Sequence, residues 1–249
     1  MKFIQPLFRL LQSQGFGSRK LCRERVRAGR VGVNGVPCTD PDRGFDPAGL
    51  VLDVDGEAWA YREKAYLVLH KPAGYECSRQ ARDHPSVFGL LPAPLVERGV
   101  QCVGRLDQDT TGLLLLSDDG EFIHHHTSPR RAVGKTYRVT CKHPLQDALV
   151  ASLLAGVLLR DETAPIAARS CRILAERELE LSIAEGKYHQ VKRMVAAAGN
   201  RVAALHRVAV GGYSLPEDLP PGHWKWLEPA ELEHLGSLPD TQPDERKCP

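Results

Sequence analysis

The chain has 249 residues, of which 42% are hydrophobic and 26% charged, and its formal net charge at neutral pH is +2. This composition supports a packed core in one large domain or two, and the small charge does not by itself indicate a nucleic-acid ligand. No run of about 18 apolar residues exists and the N-terminus lacks a long apolar segment, so we expect neither a membrane span nor a signal peptide. Seven scattered cysteines without a Cys-x-x-Cys pair are typical of reduced thiols in a cytoplasmic protein rather than of a disulfide framework or zinc site.

Residues 1–60 are predicted to form a small separate domain. A short helix follows Pro6, and a second helix begins after Ser18, a candidate N-cap, and ends before Gly29. Turn signals at Asn34-Gly35 and Asp55-Gly56 then predict two β-hairpins.

The second of these helices is strongly basic. Six basic residues and one acid lie between its start and residue 30, and those three and four positions apart share a helical face. Such a face is usually only solvated, but it can also contact RNA phosphates. The candidate RNA-binding residues here are Arg19, Lys20, Arg23, Arg27 and Arg30.

Residues 64–235 are predicted to form a second domain, after a polar linker at 59–64. Its predicted strands and helices follow from apolar periodicity and turn residues. We expect strands at 66–70, 113–116, 135–141, 171–174 and 178–183, an exposed loop with one short helix at 81–99, and helices starting near 119, 145 and 190. The pattern indicates an α+β fold with a mixed, mainly antiparallel sheet. Residues 236–249 are polar and Pro-rich and are predicted to be disordered.

The most informative stretch of the second domain is residues 103–120. Asp107 stands two residues after Arg105 and ahead of a Thr-Thr-Gly turn, and four leucines follow at 113–116. Four consecutive leucines between turn signals fit a short strand buried on both faces. A carboxylate on a loop fixed against such a strand can act as a nucleophile or base. The alternative is an ordinary turn with solvated acids.

Neither of two possible metal sites is favoured. Asp107, Asp109 and Asp118 fit part of the EF-hand spacing, but Thr111 stands where an Asp or Asn is expected and the flanks are predicted strands. The three adjacent histidines at 124–126 point in different directions on a helix, so they cannot face one ion together. We therefore predict that the protein has no metal site.

Two further segments carry candidate residues with simple structural alternatives. Tyr137 lies in a predicted strand and can be a core residue. In the segment 185–194, Tyr188 and Lys192 are four residues apart, as are His189 and Arg193, so each pair is expected to project together. The alternative for this segment is a surface charge cluster.

The motifs together resemble a known family. Gly104-Arg-Leu-Asp107 and Asp109-Thr-Thr-Gly-Leu113 resemble the active-site signature of the pseudouridine synthases. Three later segments resemble the family's remaining motifs and occur in the same order. They are Thr127-Ser-Pro-Arg130, Lys135-Thr-Tyr137 and Glu185-Gly-Lys-Tyr-His-Gln-Val-Lys-Arg-Met194. Lys71-Pro-Ala-Gly74 and Asp83-His-Pro-Ser86 resemble the RsuA-type branch, the 16S rRNA pseudouridine(516) synthases, more than the 23S rRNA enzymes. The first 60 residues resemble the alpha-L RNA-binding domain.

The resemblance implies roles for individual residues. Asp107 would be the nucleophile, with Arg105 beside it in the catalytic set, and Tyr137 would stack on the target uracil. By position, Lys192 would be the ion partner of Asp107, with Arg193 as the alternative. Further RNA contacts are expected from Lys187, His189 and Arg193.

The resemblance also implies the reaction. A uridine of ribosomal RNA, most specifically uridine 516 of 16S small-subunit rRNA, would leave its stack and be isomerised to pseudouridine without a cofactor. The expected partner is ribosomal RNA within a small-subunit assembly intermediate, and the expected enzyme is a cytoplasmic monomer that binds no membrane. The alternatives are the same chemistry on 23S rRNA and a non-catalytic rRNA-binding assembly factor.

Overall fold

The computed structural model describes residues 4–236. All but the first residue of the segment predicted to be disordered, 236–249, lies outside the described residues. The chain divides into two compact units. One comprises the chain up to Tyr66 together with Phe88–Gln101 and Ser117–Asp119; the other comprises Leu67–Val87, Cys102–Leu116 and the chain from Gly120 onward. The domain bounds at residues 60 and 64 stay a prediction.

The helices and strands are numbered in chain order. The helices are α1 Leu7–Ser13, α2 Arg19–Arg27, α3 Ala93–Glu97, α4 Gly120–Thr127, α5 Asp147–Ala155, α6 Gln190–Ala197 and α7 Pro229–Leu235, with 3-10 turns at Val87–Leu90 and Pro129–Arg131. The strands are β1 Gln5–Pro6, β2 Val31–Val33, β3 Val36–Pro37, β4 Gly44–Phe45, β5 Val51–Val54, β6 Glu57–Ala60, β7 Tyr66–Lys71, β8 Gln101–Cys102, β9 Thr111–Ser117, β10 Lys135–Cys141, β11 Ser170–Ala175, β12 Glu178–Ile183, β13 Val202–Val210, β14 Tyr213–Ser214 and β15 Trp224–Trp226.

The first unit packs α1 and α2 against a four-stranded antiparallel sheet of order β3-β2-β5-β6. The second helix begins where predicted, because the Ser18 side chain accepts a hydrogen bond from the Leu21 amide at 3.3 Å. The turn between β2 and β3 places Asn34 and Gly35 at φ of 49° and 80°. Two consecutive positive φ values are what a two-residue hairpin turn requires, so this predicted hairpin is confirmed.

The linker prediction at 59–64 was wrong for its first residues. Trp59 lies in β6 and packs against the buried core of the first unit, as does Tyr61. The Trp59 Nε1 donates a hydrogen bond to Gln14 Oε1 at 3.3 Å. A strand that buries one face looks polar in sequence when its other face is solvated, which is why the segment resembled a linker.

The exposed loop predicted at 81–99 was also partly wrong. This stretch contains the 3-10 turn Val87–Leu90 and α3, and it buries Phe88, Leu91 and Leu95. Its high Pro and Gly content predicted the breaks between these short elements but not their burial.

The second unit is built on a nine-stranded sheet. Seven strands follow the order β11-β12-β10-β13-β9-β7-β15, with β14 on β13 and β8 on β9. The pairs with a described register are antiparallel, except that β13 runs parallel to β9. The leucines of β9 are buried on both faces, as their continuous apolar run predicted. These features confirm the predicted α+β fold with a mainly antiparallel sheet.

Three general properties bear on function. No helix within residues 4–236 is long and apolar enough to cross a membrane. The six cysteines in that part of the chain are free thiols. Over the same residues, no group of three His, Cys, Asp or Glu side chains is placed to hold a metal ion.

Candidate active site

Asp107 lies on a tight turn just before β9. The Thr110 amide donates to the Asp107 carbonyl at 3.1 Å, which closes the turn. Lys71, at the end of β7, is completely buried and contacts the backbone of the turn. Its ammonium donates to the carbonyl oxygens of Gln108 at 3.1 Å and Thr110 at 2.8 Å. The Lys71 side chain thus fixes the backbone on both sides of Asp109, within the turn that carries Asp107.

The role of Lys71 was not visible in the sequence, where Lys71-Pro-Ala-Gly74 served only as a motif of the family resemblance. Burial lowers the pKa of the Lys71 ammonium, an effect that the neighbouring Cys77 thiol and the Asp109 and Asp107 carboxylates oppose. A buried ammonium normally needs a full set of acceptors, and three backbone carbonyls supply them here, including that of Pro72 at 3.0 Å. Lys71 therefore positions the turn and is not exposed to a ligand.

The Asp107 carboxylate is 27% exposed and has two basic neighbours from the start of α6. Lys192 Nζ lies 3.0 Å from Asp107 Oδ2, and His189 Nε2 lies 3.3 Å from Oδ1. Lys192 also contacts Asp109 Oδ1 at 2.6 Å. Burial acts to lower the pKa of Lys192, but the hydrogen bonds to Asp109 and Asp107 outweigh it and the pKa is raised. Lys192 therefore stays a cation at neutral pH and balances the two carboxylates.

The pairing predicted for the segment 185–194 was wrong. Lys192 and His189, not Lys192 and Tyr188, converge on one point, while Tyr188 is exposed and stacks on the His189 ring. Arg193 instead lies 3.2 Å from Asp161. The reason is that α6 begins only at Gln190, after His189 adopts a left-handed φ of 48°, so the spacing rule of a helix does not hold across its start.

A cavity of about 590 Å³ opens beside Asp107. Its floor is formed by inward-facing side chains of three neighbouring strands, namely Lys135, Tyr137, Ile183, Leu205 and Arg207. Tyr137 is 7% exposed and lines the cavity, so it belongs both to the core and to the wall of the cavity. The volume lies in the range of small-ligand pockets, and a single nucleotide fits within that range.

Two cations of this floor, Arg207 and Lys135, were not among the predicted site residues. Arg207 is 2% exposed and its Nε donates to the Leu113 carbonyl at 2.7 Å. The Lys135 Nζ donates to the Val133 carbonyl at 3.0 Å. Burial, followed by repulsion from Arg207 and Arg169, lowers the pKa of Lys135 to about 8. Along β13 the residues Leu205, Arg207 and Ala209 alternate inward, so an arginine at an inward position was the signal that could have revealed this group.

The other predicted residues near the cavity are more exposed. Arg105 is exposed and lines the cavity next to Asp107. Lys187 also lines it and forms an ion pair with Glu162. Arg105 and Lys187 thus place positive charge at the cavity, whereas Arg193, which contacts Asp161, does not line it.

The predicted RNA-binding residues of the first unit lie on and just after α2. Lys20 and Arg27 are exposed, and Lys20 has only a long contact of 4.0 Å with Glu24. Arg23 differs, because it forms a bidentate ion pair with Asp42 and lies over the Phe8 ring. The exposed members of the set, rather than Arg23, are thus free to meet phosphates.

The remaining two residues of that set are partly engaged. Arg19 is exposed and also lies near the Phe8 ring, at 5.1 Å from its centroid. Arg30, beyond the end of α2, forms an ion pair with Asp55. An exposed arginine in such contacts keeps donors that face solvent.

Comparison with known families gives two matches. The profile of the RNA pseudouridylate synthase family matches residues 65–197, and the profile of the S4 domain matches residues 5–47.

Known relatives match over most of their length. The ribosomal small subunit pseudouridine synthase A of Yersinia pestis is 38% identical over 226 residues, which are 90% of this chain and 96% of the relative. The protein of the same name from Haemophilus influenzae is 42% identical over 173 residues, covering 70% of this chain and 74% of its own. A crystal structure of a pseudouridylate synthase superimposes with a TM-score of 0.66 at 34% identity, covering 93% of this chain and 99% of the other.

Proposed function

This chain belongs to the RNA pseudouridylate synthase family, and from that premise we propose that it isomerises uridine 516 of 16S ribosomal RNA with Asp107 as the nucleophile. It is an isomerase of ribosomal RNA with an S4 domain at its front. The relatives that it matches over most of its length are named as synthases of the small ribosomal subunit, which supports 16S rRNA as the substrate. The exact uridine is the finer part of the proposal.

The reaction requires the target nucleotide to leave the RNA helix. The bond between C1′ and N1 breaks, and a new bond forms between C1′ and C5, atoms that no side chain reaches inside a stacked helix. No group enters or leaves, so the chemistry needs no cofactor. The cavity beside Asp107 has room for one flipped nucleotide.

The observation that carries the proposal is the setting of Asp107. Asp107 lines the cavity, the turn that follows it is held by buried Lys71, and Lys192 lies 3.0 Å from its carboxylate. A fixed, ionised carboxylate next to an open cavity is what nucleophilic attack requires. We assign Lys192 to keep this carboxylate charged when RNA closes the site to water, because an adjacent cation offsets the cost of burying an anion.

Tyr137 and the exposed cations complete the proposed site. Tyr137 would stack on the target uracil, an interaction worth about 1–3 kcal/mol for a base on an aromatic ring. Arg105 lies beside Asp107 at the rim, where it would contact the RNA backbone next to the target. Contacts with more distant phosphates are assigned to Lys187, His189 and Arg193, and to Arg19, Lys20, Arg27 and Arg30 around α2.

The setting in the cell is also part of the proposal. We propose domains at 1–60 for RNA binding and 64–235 for catalysis, acting as a monomer. A small-subunit assembly intermediate is the proposed substrate, because target bases are accessible before the ribosome is complete. Such intermediates form in the cytoplasm, so we assign the enzyme to that compartment.

The test of the nucleophile is Asp107→Asn, which keeps the shape of the side chain and removes its charge. We expect RNA affinity within about tenfold of wild type and no pseudouridine, because the attacking anion is lost. Pseudouridine is measured by chemical mapping of 16S and 23S rRNA after incubation. Asp147→Asn, at an exposed position of α5, is the matched control and should react like wild type.

Each outcome separates the proposal from its alternatives. Modification of 23S instead of 16S rRNA by the wild-type protein would overturn the substrate. RNA binding without any modification by wild type would favour a non-catalytic assembly factor. Near-normal turnover by Asp107→Asn would move the nucleophile to another residue, with Asp109 the first candidate. Mapping the same uridines in a strain that lacks the gene completes the test.

A further inference from the structure

The floor of the cavity holds an arginine whose hydrogen bonding is incomplete. Arg207 is 2% exposed, and its Nε is bonded to the Leu113 carbonyl. Its Nη2 is buried and has no hydrogen-bond partner among the residues that the structure describes. Buried donors are nearly always satisfied in folded proteins, and a charged donor left alone lowers stability. Arg207 also lines the cavity, so a ligand bound there could supply an acceptor that the protein itself does not provide.

Lys135 places a second cation on the same side of the sheet. In β10 it lies two residues before Tyr137, and it lines the same cavity as Arg207. Repulsion from Arg207 and Arg169 contributes to the lowered pKa of Lys135, so these positive charges interact with one another. Two cations gathered in a cavity make that region attractive to negative charge.

The acids of the cavity do not neutralise this pair. Asp107 is engaged by Lys192 and His189. Glu76 accepts hydrogen bonds from the backbone amides of Asp83 and His84.

The third acid of the cavity, Glu185, accepts from the side chain of Gln190. Within residues 4–236, neither Arg207 nor Lys135 forms an ion pair with any of these acids, so their charge is left for a ligand.

The position of Arg207 indicates which part of a nucleotide it meets. Arg207 is the direct cross-strand partner of Tyr137 in the β10–β13 pair, so both side chains lie at the same depth of the floor. Tyr137 is the proposed stacking surface for the uracil ring. The base is the part of a flipped nucleotide that enters deepest, whereas its phosphates stay with the RNA chain near the exposed rim. A nearly completely buried guanidinium beside Tyr137 therefore meets the edge of the base.

We propose that Arg207, assisted by Lys135, binds a carbonyl oxygen of the flipped uracil and stabilises the negative charge that the ring acquires during the reaction. This inference rests on the proposed function and adds a binding and charge-stabilising role for two residues of the floor. The guanidinium offers an N–H donor in a site shielded from water, where hydrogen bonds to developing charge are strongest.

The electron balance of the isomerisation requires such stabilisation. When the bond between C1′ and N1 breaks, its electron pair stays with the uracil and is shared with the two carbonyl oxygens. The Asp107 carboxylate bonds to C1′ as N1 leaves, and it is displaced when C5 attacks C1′. The proton on C5 then leaves and N1 gains a proton, so that no electrons or atoms are lost. A cation at a carbonyl oxygen lowers the energy of the charged ring between these two events.

The test is a double-mutant cycle in which one change is made in the protein and the other in the target base. Small-subunit assembly intermediates are reconstituted with 16S rRNA that carries uridine, 2-thiouridine or 4-thiouridine at the target, because sulfur is a poorer acceptor than oxygen. Arg207→Gln keeps a donor that can reach the Leu113 carbonyl, Lys135→Met removes the second cation, and Arg138→Met, exposed on the other side of β10, is the matched control. Single-turnover rates, RNA dissociation constants and thermal unfolding are measured for each.

We expect Arg207→Gln to react about 100-fold more slowly, the typical effect of removing one such donor. Its RNA dissociation constant should stay within about threefold of wild type, because the charge to be stabilised appears only after binding. Lys135→Met should slow the reaction by about tenfold, and Arg138→Met should not. One thio substitution should slow wild type by about tenfold and have almost no effect on Arg207→Gln, which shows coupling between the two groups.

Several results would overturn the inference. If neither thio substitution slowed the wild-type protein by more than about twofold, no carbonyl contact would exist, and this holds even if Arg207→Gln fails to fold. Independent, multiplicative effects of the variant and both thio substitutions would also overturn it. If the effect of Arg207→Gln were coupled instead to that of a methylphosphonate replacing the phosphate next to the target, Arg207 would bind phosphate. Wild-type conversion of the unmodified RNA tests the proposed function separately.

Discussion

Lys192 is shared between two carboxylates, at 3.0 Å from Asp107 and 2.6 Å from Asp109. Its charge therefore acts on both acids of the turn. α6 approaches the turn with its first residues, and from there the Lys192 side chain reaches both acids. We expect the Lys192 charge, rather than its apolar stem, to matter for catalysis.

Lys192→Met keeps the stem and deletes the charge. The single-turnover rate should fall by about 100-fold or more. The acidic limb of the pH–rate profile should move to higher pH, because a carboxylate without its cation is protonated more readily. Lys192→Arg should recover part of the rate, since the charge returns with a different geometry.

The control for that experiment is Arg172→Met, which deletes an ion pair with Glu180 on an exposed strand. It should leave both the rate and the pH profile unchanged. If Lys192→Met behaved like this control while Arg193→Met or Arg105→Met moved the acidic limb, Lys192 would not be the partner that acts on Asp107.

Lys135 gives a prediction about stability. Its pKa is lowered to about 8, mainly by burial, whereas a lysine of an unfolded chain titrates near about 10.4. Between these values the unfolded chain binds more protons, so the contribution of Lys135 to the free energy of unfolding rises with pH. Below about pH 8 the penalty of burying the charge is fully present.

Lys135→Met should therefore be more stable than wild type at pH 7, and the difference should shrink between pH 8 and pH 10. Urea unfolding at a series of pH values measures it, with the exposed Lys142→Met as a control that should show no such trend. A Lys135→Met variant less stable than wild type at pH 7 would contradict the conclusion that burying the Lys135 charge lowers stability. Residues that serve a ligand often lower the stability of the free protein in this way.

At the scale of elements, the parallel pair of β9 and β13 connects the turn of Asp107 to the floor of the cavity. Gly112 of β9 is the partner of Arg207, and its φ is 104°. A Cβ built on Gly112 would lie 2.3 Å from the Arg207 carbonyl oxygen. Only glycine allows the two backbones to approach this closely. The glycine of the Thr-Thr-Gly turn thus sets the contact that places Arg207 against the Leu113 carbonyl.

Gly112→Ala should destabilise the protein by on the order of 2 kcal/mol or more, because of strain at positive φ and the clash with β13. Thermal or urea unfolding measures the change. Gly120→Ala is the matched control, because Gly120 starts α4 without a positive φ and a Cβ there has open space. A Gly112→Ala variant as stable as Gly120→Ala would mean that β9 shifts without cost.

At the scale of the molecule, the net charge of +2 conceals local concentrations of positive charge. The first unit carries exposed Lys20 and Arg27 along α2, and the second carries its cations around the cavity. Several of the predicted RNA-binding residues already have acidic partners, among them Arg23 with Asp42. RNA must compete with these acids, so each cation contributes less than an unpaired one.

Charge removal on α2 should weaken RNA binding in a salt-dependent way. For the double variant Lys20→Met and Arg27→Met, the slope of log affinity against log salt should decrease by up to about two units, since each lost phosphate contact removes roughly one. Lys142→Met with Arg201→Met removes the same charge from exposed positions of the second unit. If both pairs changed the slope equally, α2 would have no special role in binding.

The sequence by itself predicted most of the elements and identified Asp107 as the candidate nucleophile. Turn and capping residues predict the hairpin at Asn34-Gly35 and the N-cap at Ser18, and apolar periodicity predicts the buried leucine strand. These signals act over a few residues. The motif order was likewise readable, because motifs are local. Even the position of Asp107 before a buried strand required no knowledge of distant residues.

Tertiary structure alone decided what surrounds Asp107. The contacts of Lys71 with the turn, of Lys192 and His189 with the carboxylate, and of Arg207 with Leu113 join residues far apart in the chain. They depend on strand register and on the residue at which α6 begins, and a shift of one residue in either would turn the side chains away. Local propensity contains no information about such register, so the contacts of Lys71 and His189 and the charged floor appeared only when the strands were paired, whereas the family resemblance had already implied Lys192.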